Sequence, residues 1–101
     1  MKWLWTWDGR FFGYRDGEDI WTYKGKHIGK LDGTDVYDPQ GKYLGELVSG
    51  ERLVTCISKK NDRGYSFKPD PTIRRAPQNV DYAPYSMYAG YEDFPKLEDF
   101  D

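Results

Sequence analysis

Trp5-Thr6-Trp7-Asp8-Gly9 recurs sixteen residues later as Trp21-Thr22-Tyr23-Lys24-Gly25, and Tyr37-Asp38-Pro39-Gln40-Gly41 follows at the same interval. After a one-residue slip, Val54-Thr55-Cys56-Ile57-Ser58 takes the same place. Glycine accompanies these copies at 9, 17, 25, 33 and 41, then at 50, while Gly13, Gly29 and Gly45 recur once per copy. Each unit therefore holds two turns and two strands of four or five residues, too short for helix. Asp8-Gly9 and Asp16-Gly17 are strong two-residue hairpin signals, because glycine accepts a positive φ without a Cβ clash. Short links make sequence neighbours pair antiparallel. The predicted fold class is all-β: four 16-residue β-hairpin repeats, about eight short antiparallel strands with pseudo-four-fold symmetry, and an extended Pro/Tyr-rich C-terminal tail. The boundaries are residues 1–68 for the four-hairpin domain and 69–101 for the tail.

The columns of the repeat assign the core. Leu4, Ile20, Val36 and Leu53 form one aliphatic column and Phe12, Ile28 and Leu44 a second, so each hairpin sends one residue per strand to a common centre. Trp5, Trp21 and Tyr37 form an aromatic column on the opposite face of the first strand. Glycine inside a strand weakens it unless something packs closely, so Trp or Tyr rings are expected over Gly13, Gly29 and Gly45.

Four copies of the unit, with Gly-x-x-x-Gly at 9–13, 25–29 and 41–45 flanked by Trp or Tyr, resemble the four-fold β-flower proteins, small and mostly bacterial domains of hairpins in pseudo-four-fold array. The resemblance covers about residues 2 to 60. It implies the fold and, since the family has no established biochemical function, no catalytic residues. Pro39 and the polar loop Lys59-Lys60-Asn61-Asp62-Arg63-Gly64 depart from the pattern, the latter where the fourth unit should turn tightly.

Composition limits the function classes. The chain has 101 residues, 18% of them aromatic, and a formal net charge of −2, which gives no global field favouring nucleic acid or an anionic membrane. A single cysteine, Cys56, encodes neither an intramolecular disulfide nor a Cys-x-x-Cys zinc site. No signal peptide or membrane-length apolar run is visible, so a cytoplasmic location is expected. No cofactor or metal is implied.

From Pro69 onward prolines multiply, and residues 66–101 carry 4 basic against 7 acidic side chains while residues 1–65 carry 11 against 10. Tyr82, Tyr85, Tyr88, Tyr91, Phe94, Leu97 and Phe100 recur every third residue, a period that fits polyproline II better than strand or helix. A short helix between Tyr85 and Phe94 is the alternative. Such a stripe packs on the protein's own body or on a second copy, serves as a linear motif for a partner, or is disordered.

Candidate chemistry is sparse. His27 falls in the column of Phe11 and Tyr43 and reads as a packing or surface ring; Cys56 falls in the column of Trp7 and Tyr23 and reads as a small strand residue. Asp8, Asp16, Asp32 and Asp38 could be drawn as a carboxylate ring, but turn chemistry already explains aspartate before glycine. These patterns favour a non-enzymatic binding or assembly module using exposed aromatics, with Trp3, Trp5, Trp7, Trp21 and Tyr37 as the binding surface. A protein or peptide partner, or self-association, suits such rings; a membrane does not, and nucleic acid is disfavoured. The alternative is a nucleic-acid contact through residues 59–68, where Lys59, Lys60, Arg63 and Lys68 interleave with Tyr65 and Phe67.

Overall fold

A computed structural model describes residues 1–101. Seven strands come from the repeats: β1 Lys2–Thr6, β2 Phe11–Asp16, β3 Asp19–Thr22, β4 His27–Asp32, β5 Asp35–Tyr37, β6 Tyr43–Val48 and β7 Arg52–Cys56. Each pairs antiparallel with the next, and β1 returns to pair parallel with β7 through Trp5 opposite Arg52 and Thr6 opposite Leu53. The meander thus closes into a ring of hairpins, the all-β pseudo-four-fold architecture that the glycine spacing predicts. Closure satisfies the edge groups of β1 that an open meander would leave unpaired.

The eighth strand is not where the repeat would put it. Past Cys56 the chain forms a 3-10 turn, Ile57–Lys59, and the partner of β7 is instead β8, Tyr91–Asp93, from the far end of the tail. The polar loop after Lys59 provides no apolar strand, so the vacant edge of β7 is filled by a segment that has one. Residues 85–90 form no helix; Gly90 adopts φ +84° in the turn leading into β8.

Within each complete hairpin the register slips by one residue. Leu4 lies opposite Gly13 but Trp5 opposite Phe11, and the same break separates Ile20 from Trp21 and Val36 from Tyr37. Phe12, Ile28 and Leu44 are therefore bulge residues, and a bulge bends its strand and re-aims a side chain. All three turn into the core, where they meet Leu4, Ile20, Val36 and Leu53. Leu31, Leu47 and Phe94 complete the cluster, with Leu97 and Phe100 packed against it.

Rings do not explain two of the three in-strand glycines. A Cβ on Gly13 would overlap the Trp21 carbonyl oxygen, and one on Gly29 would crowd the Tyr37 carbonyl and a Val36 methyl. Only Gly45 has an aromatic neighbour, the Phe94 ring, beside the Val54 carbonyl. What these glycines permit is close approach of backbone from the next repeat.

Candidate functional site

The turn glycines behave as their spacing predicts: Gly9, Gly17, Gly25, Gly33, Gly41 and Gly50 all have positive φ. They divide into two rims. At Gly17, Gly33 and Gly50 an added Cβ would meet nothing. At Gly9, Gly25 and Gly41 it would strike the chain that follows the repeats, from Gly64 onward, which runs over this rim as a belt.

The belt travels backwards around the ring and repeats one contact at each hairpin. Gly64 N–H donates to the Gly41 carbonyl at 2.8 Å, Arg74 to Gly25 at 2.9 Å and Tyr82 to Gly9 at 2.7 Å. Two or three residues further on, Phe67 donates to Pro39, Ala76 to Tyr23 and Tyr85 to Trp7. The residues that reach the glycines also cover the aromatic column. Tyr82 stacks on Trp5 with centroids 4.0 Å apart, the Arg74 guanidinium sits 4.7 Å above Trp21, and Gly64 lies against the Tyr37 ring so closely that a Cβ would collide. One clamp, two carbonyls and a ring, is thus built three times, because the sixteen-residue unit places a column ring and a glycine turn at fixed separation.

Side chains reinforce the clamps. Trp5 Nε1 donates to the Val80 carbonyl and Trp7 Nε1 to that of Ser86, while Tyr14 Oη donates to the Arg74 carbonyl. Trp7 also packs against Tyr85 and Tyr88. The expected exposed surface is consequently inside: Trp5, Trp7 and Trp21 are buried, and Trp3 and Tyr37 are half-buried. The rings beyond the needs of the central core serve the protein's own tail. Of the three-residue stripe, Tyr82, Tyr85 and Tyr88 lie along the rim with outer faces exposed, Tyr91 enters β8 and Phe94 enters the core.

Arg52, which the sequence did not single out, lies at the closure of the ring. Only 3% exposed, it donates from Nη1 to the Thr6 and Trp7 carbonyls and from Nη2 to that of Ala83, and no carboxylate pairs with it. Tyr85 lies over its guanidinium. His27 is a packing ring, stacked on Trp21 at 4.9 Å. Its Nδ1 accepts from the Asp70 N–H, which places the imidazole proton on Nε2, 3.1 Å from Asp19 Oδ1.

The acidic turn residues do not converge. Asp8 pairs with Arg10, Asp16 with Arg74, and Asp38 caps the N–H groups of Gln40 and Lys42. No group of three or more His, Cys, Asp or Glu side chains is arranged to hold a metal ion. In the basic stretch, Lys59 pairs with Asp35 and Glu46, and Lys60 with Glu92. Tyr65 projects into solvent while Phe67 lies against His27, so the rings there form no continuous stacking platform.

The repeat, the ring closure and the glycine rims agree with comparison to known families: the description "4-fold beta flower protein" matches residues 1–92. The chain belongs to the 4-fold β-flower family. The match ends inside β8, Tyr91–Asp93, so the belt and the start of the strand it supplies fall within the β-flower span. Searches of curated proteins and of solved structures return no match. No helix of this β-flower is long and apolar enough to cross a membrane.

Proposed function

We propose that this β-flower is a non-enzymatic binding and assembly module whose Gly9–Gly25–Gly41 rim holds an extended polypeptide. The observation that supports this is the triple clamp, in which turn carbonyls take backbone N–H groups and a Trp or Tyr face lies beneath. Backbone donors are common to every residue but proline, so such a rim takes extended peptide with side-chain preference set only at the rings. Here the occupant is the protein's own tail. The partner this chemistry fits is a protein segment of like composition, first of all the tail of a second copy, exchanged between two rings.

The test begins with the folded full chain. A single proteolytic cut after Arg63, followed by gel filtration, should leave the two pieces associated. A labelled peptide of residues 64–101 should then exchange into the nicked protein, nearly independently of salt. The same peptide carrying Tyr82→Ala and Tyr85→Ala should exchange poorly. Failure of the wild-type peptide to exchange while the nicked protein remains folded, or equal exchange by the doubly substituted peptide, would overturn the reading. Steep weakening with salt would point to phosphate-type contacts instead.

A further inference from the structure

The ring and its belt together border a second feature. After β8 the chain crosses the belted mouth of the flower as a plug, with Phe94 buried in the core and Phe100 edge-on to Phe12. The plug leaves a cavity of about 900 Å³ towards the second and third hairpins, bounded by the turns at Lys24–Lys26 and Asp38–Lys42, the belt from Phe67 to Ile73 and the C-terminal turn. It is a cleft half open to solvent, of a volume that accommodates a drug-sized ligand.

The lining has a defined polarity. Ile28 and Leu44, both core residues, join Phe67, Ile73 and Phe100 as the apolar part. Lys24, Lys26, Lys42 and Arg75 line the same space, against Asp38, Asp70 and Asp99. The lining cations outnumber the lining carboxylates by four to three, and Asp101 lies beside Lys24. The carboxylates are also engaged with backbone: Asp38 accepts from Gln40 and Lys42, Asp70 from Thr72, and Asp99 from Lys96. Lys24 pairs with Asp101 and Lys26 donates to the Phe100 carbonyl. Lys42 and Arg75 have no ion pair at all, so two cations border the cavity and its apolar patch with their charge unspent on protein.

We propose that this cavity binds an amphiphilic organic anion, an apolar body lodged against Ile28, Leu44 and Phe67 with a carboxylate or phosphate head at Lys42 and Arg75. The chemistry selects for both parts together. An inorganic anion gains nothing from the floor, and a neutral chain leaves the cations unused. The site shares Gly25, Pro39 and Phe67 with the clamps, so it exists only with the belt seated; titration of the intact chain needs no exchange of the tail.

Calorimetric titration of the intact protein tests it with decanoate, octyl phosphate, decanol and inorganic phosphate as probes. Either amphiphilic anion should bind one to one, at least ten-fold more tightly than decanol, and inorganic phosphate should give no saturable heat. Binding by one anion and not the other would identify the head group. The double variant Lys42→Glu/Arg75→Glu alters two exposed side chains and should weaken anion binding at least ten-fold with unchanged melting temperature. Lys2→Glu, far from the cavity, should bind as wild type. Absence of binding by both anions, equal affinity for decanol, or wild-type affinity in the double variant would overturn the proposal.

Discussion

The guanidinium carbon of Arg52 lies 4.0 Å from the centroid of the Tyr85 ring, so a buried cation of β7 is held by a tyrosine thirty-three positions away in the belt. The planar cation satisfies three carbonyls and offers its face to the ring in a site closed to water. Lysine cannot reproduce either feature, since its ammonium is compact, strongly hydrated and has no flat face. Arg52→Lys is expected to destabilise the fold by roughly 2 kcal/mol, and Arg52→Ala by about 3 kcal/mol, because carbonyls of Thr6, Trp7 and Ala83 lose their shared donor. Urea denaturation measures both. A loss below roughly 0.5 kcal/mol in Arg52→Ala would show that removing an unpaired buried cation offsets the lost bonds.

Phe94 carries the second prediction. It is 2% exposed, packs edge-on against Phe12 and touches the space above Gly45, although it lies far beyond the last repeat. Phe94→Ala is expected to cost about 3–5 kcal/mol, as for a core phenylalanine within the repeats such as Phe12. Removing residues 79–101 should do more, uncovering Trp5 and Trp7 as well, with increased binding of a hydrophobic dye and a lower melting temperature. An unchanged melting temperature and no added dye binding would mean that the body closes without its tail.

How much of this was legible in the sequence follows from what carries each contact. Leu4 and Phe12 recur as columns, so the core face could be read. That Phe12 occupies a bulge could not, because a register slip leaves no residue signature of its own. The three-residue stripe marked the tyrosines as packed on one side, yet the clamps rest on N–H groups of Gly64, Arg74 and Tyr82, three residue types with nothing in common. Trp5 and Trp21 read as surplus to the core for the same reason: their cover lies in a segment whose path no local pattern specifies. Arg52 shares its column with Trp3, Asp19 and Asp35, residue types with no common pattern, so nothing in the repeat marked it as buried.

The two glycine rims separate backbone strain from crowding. Gly9 and Gly17 both occupy positive-φ turns, at +92° and +61°, but only Gly9 lies under the belt, against the Tyr82 carbonyl. Gly17→Ala meets only the conformational penalty, about 1–2 kcal/mol, and Gly17→Asn should recover part of it because asparagine tolerates this region. Gly9→Ala meets the same penalty and must also displace the belt, so it should be the more destabilising by at least about 1 kcal/mol, with no recovery in Gly9→Asn. Equal costs at the two positions, measured by thermal unfolding, would mean that the belt yields freely at Tyr82.

Alkaline stability tests the interior. Tyr43 is 3% exposed, and its hydroxyl accepts the Cys56 N–H at 3.0 Å. Burial pushes its phenol up to about 12, with the Glu46 charge adding to the rise, from an ordinary value of 10.0. The unfolded chain therefore releases this proton at lower pH than the native protein does. Where the native state holds more protons, stability falls with rising pH. The Tyr43 contribution is complete below pH 10 and declines as pH climbs from 10 towards about 12. Lys59 acts in the same sense, because its bond to Asp35 raises its proton affinity and lets the unfolded state deprotonate first. Tyr43→Phe should flatten the decline between pH 10 and about 12, at a pH-independent cost of about 1 kcal/mol for the acceptor withdrawn from Cys56. Denaturation curves collected across that window decide it. An alkaline slope identical in wild type and Tyr43→Phe would mean that the phenol ionises within the folded ring, with solvent reaching it between β6 and β7.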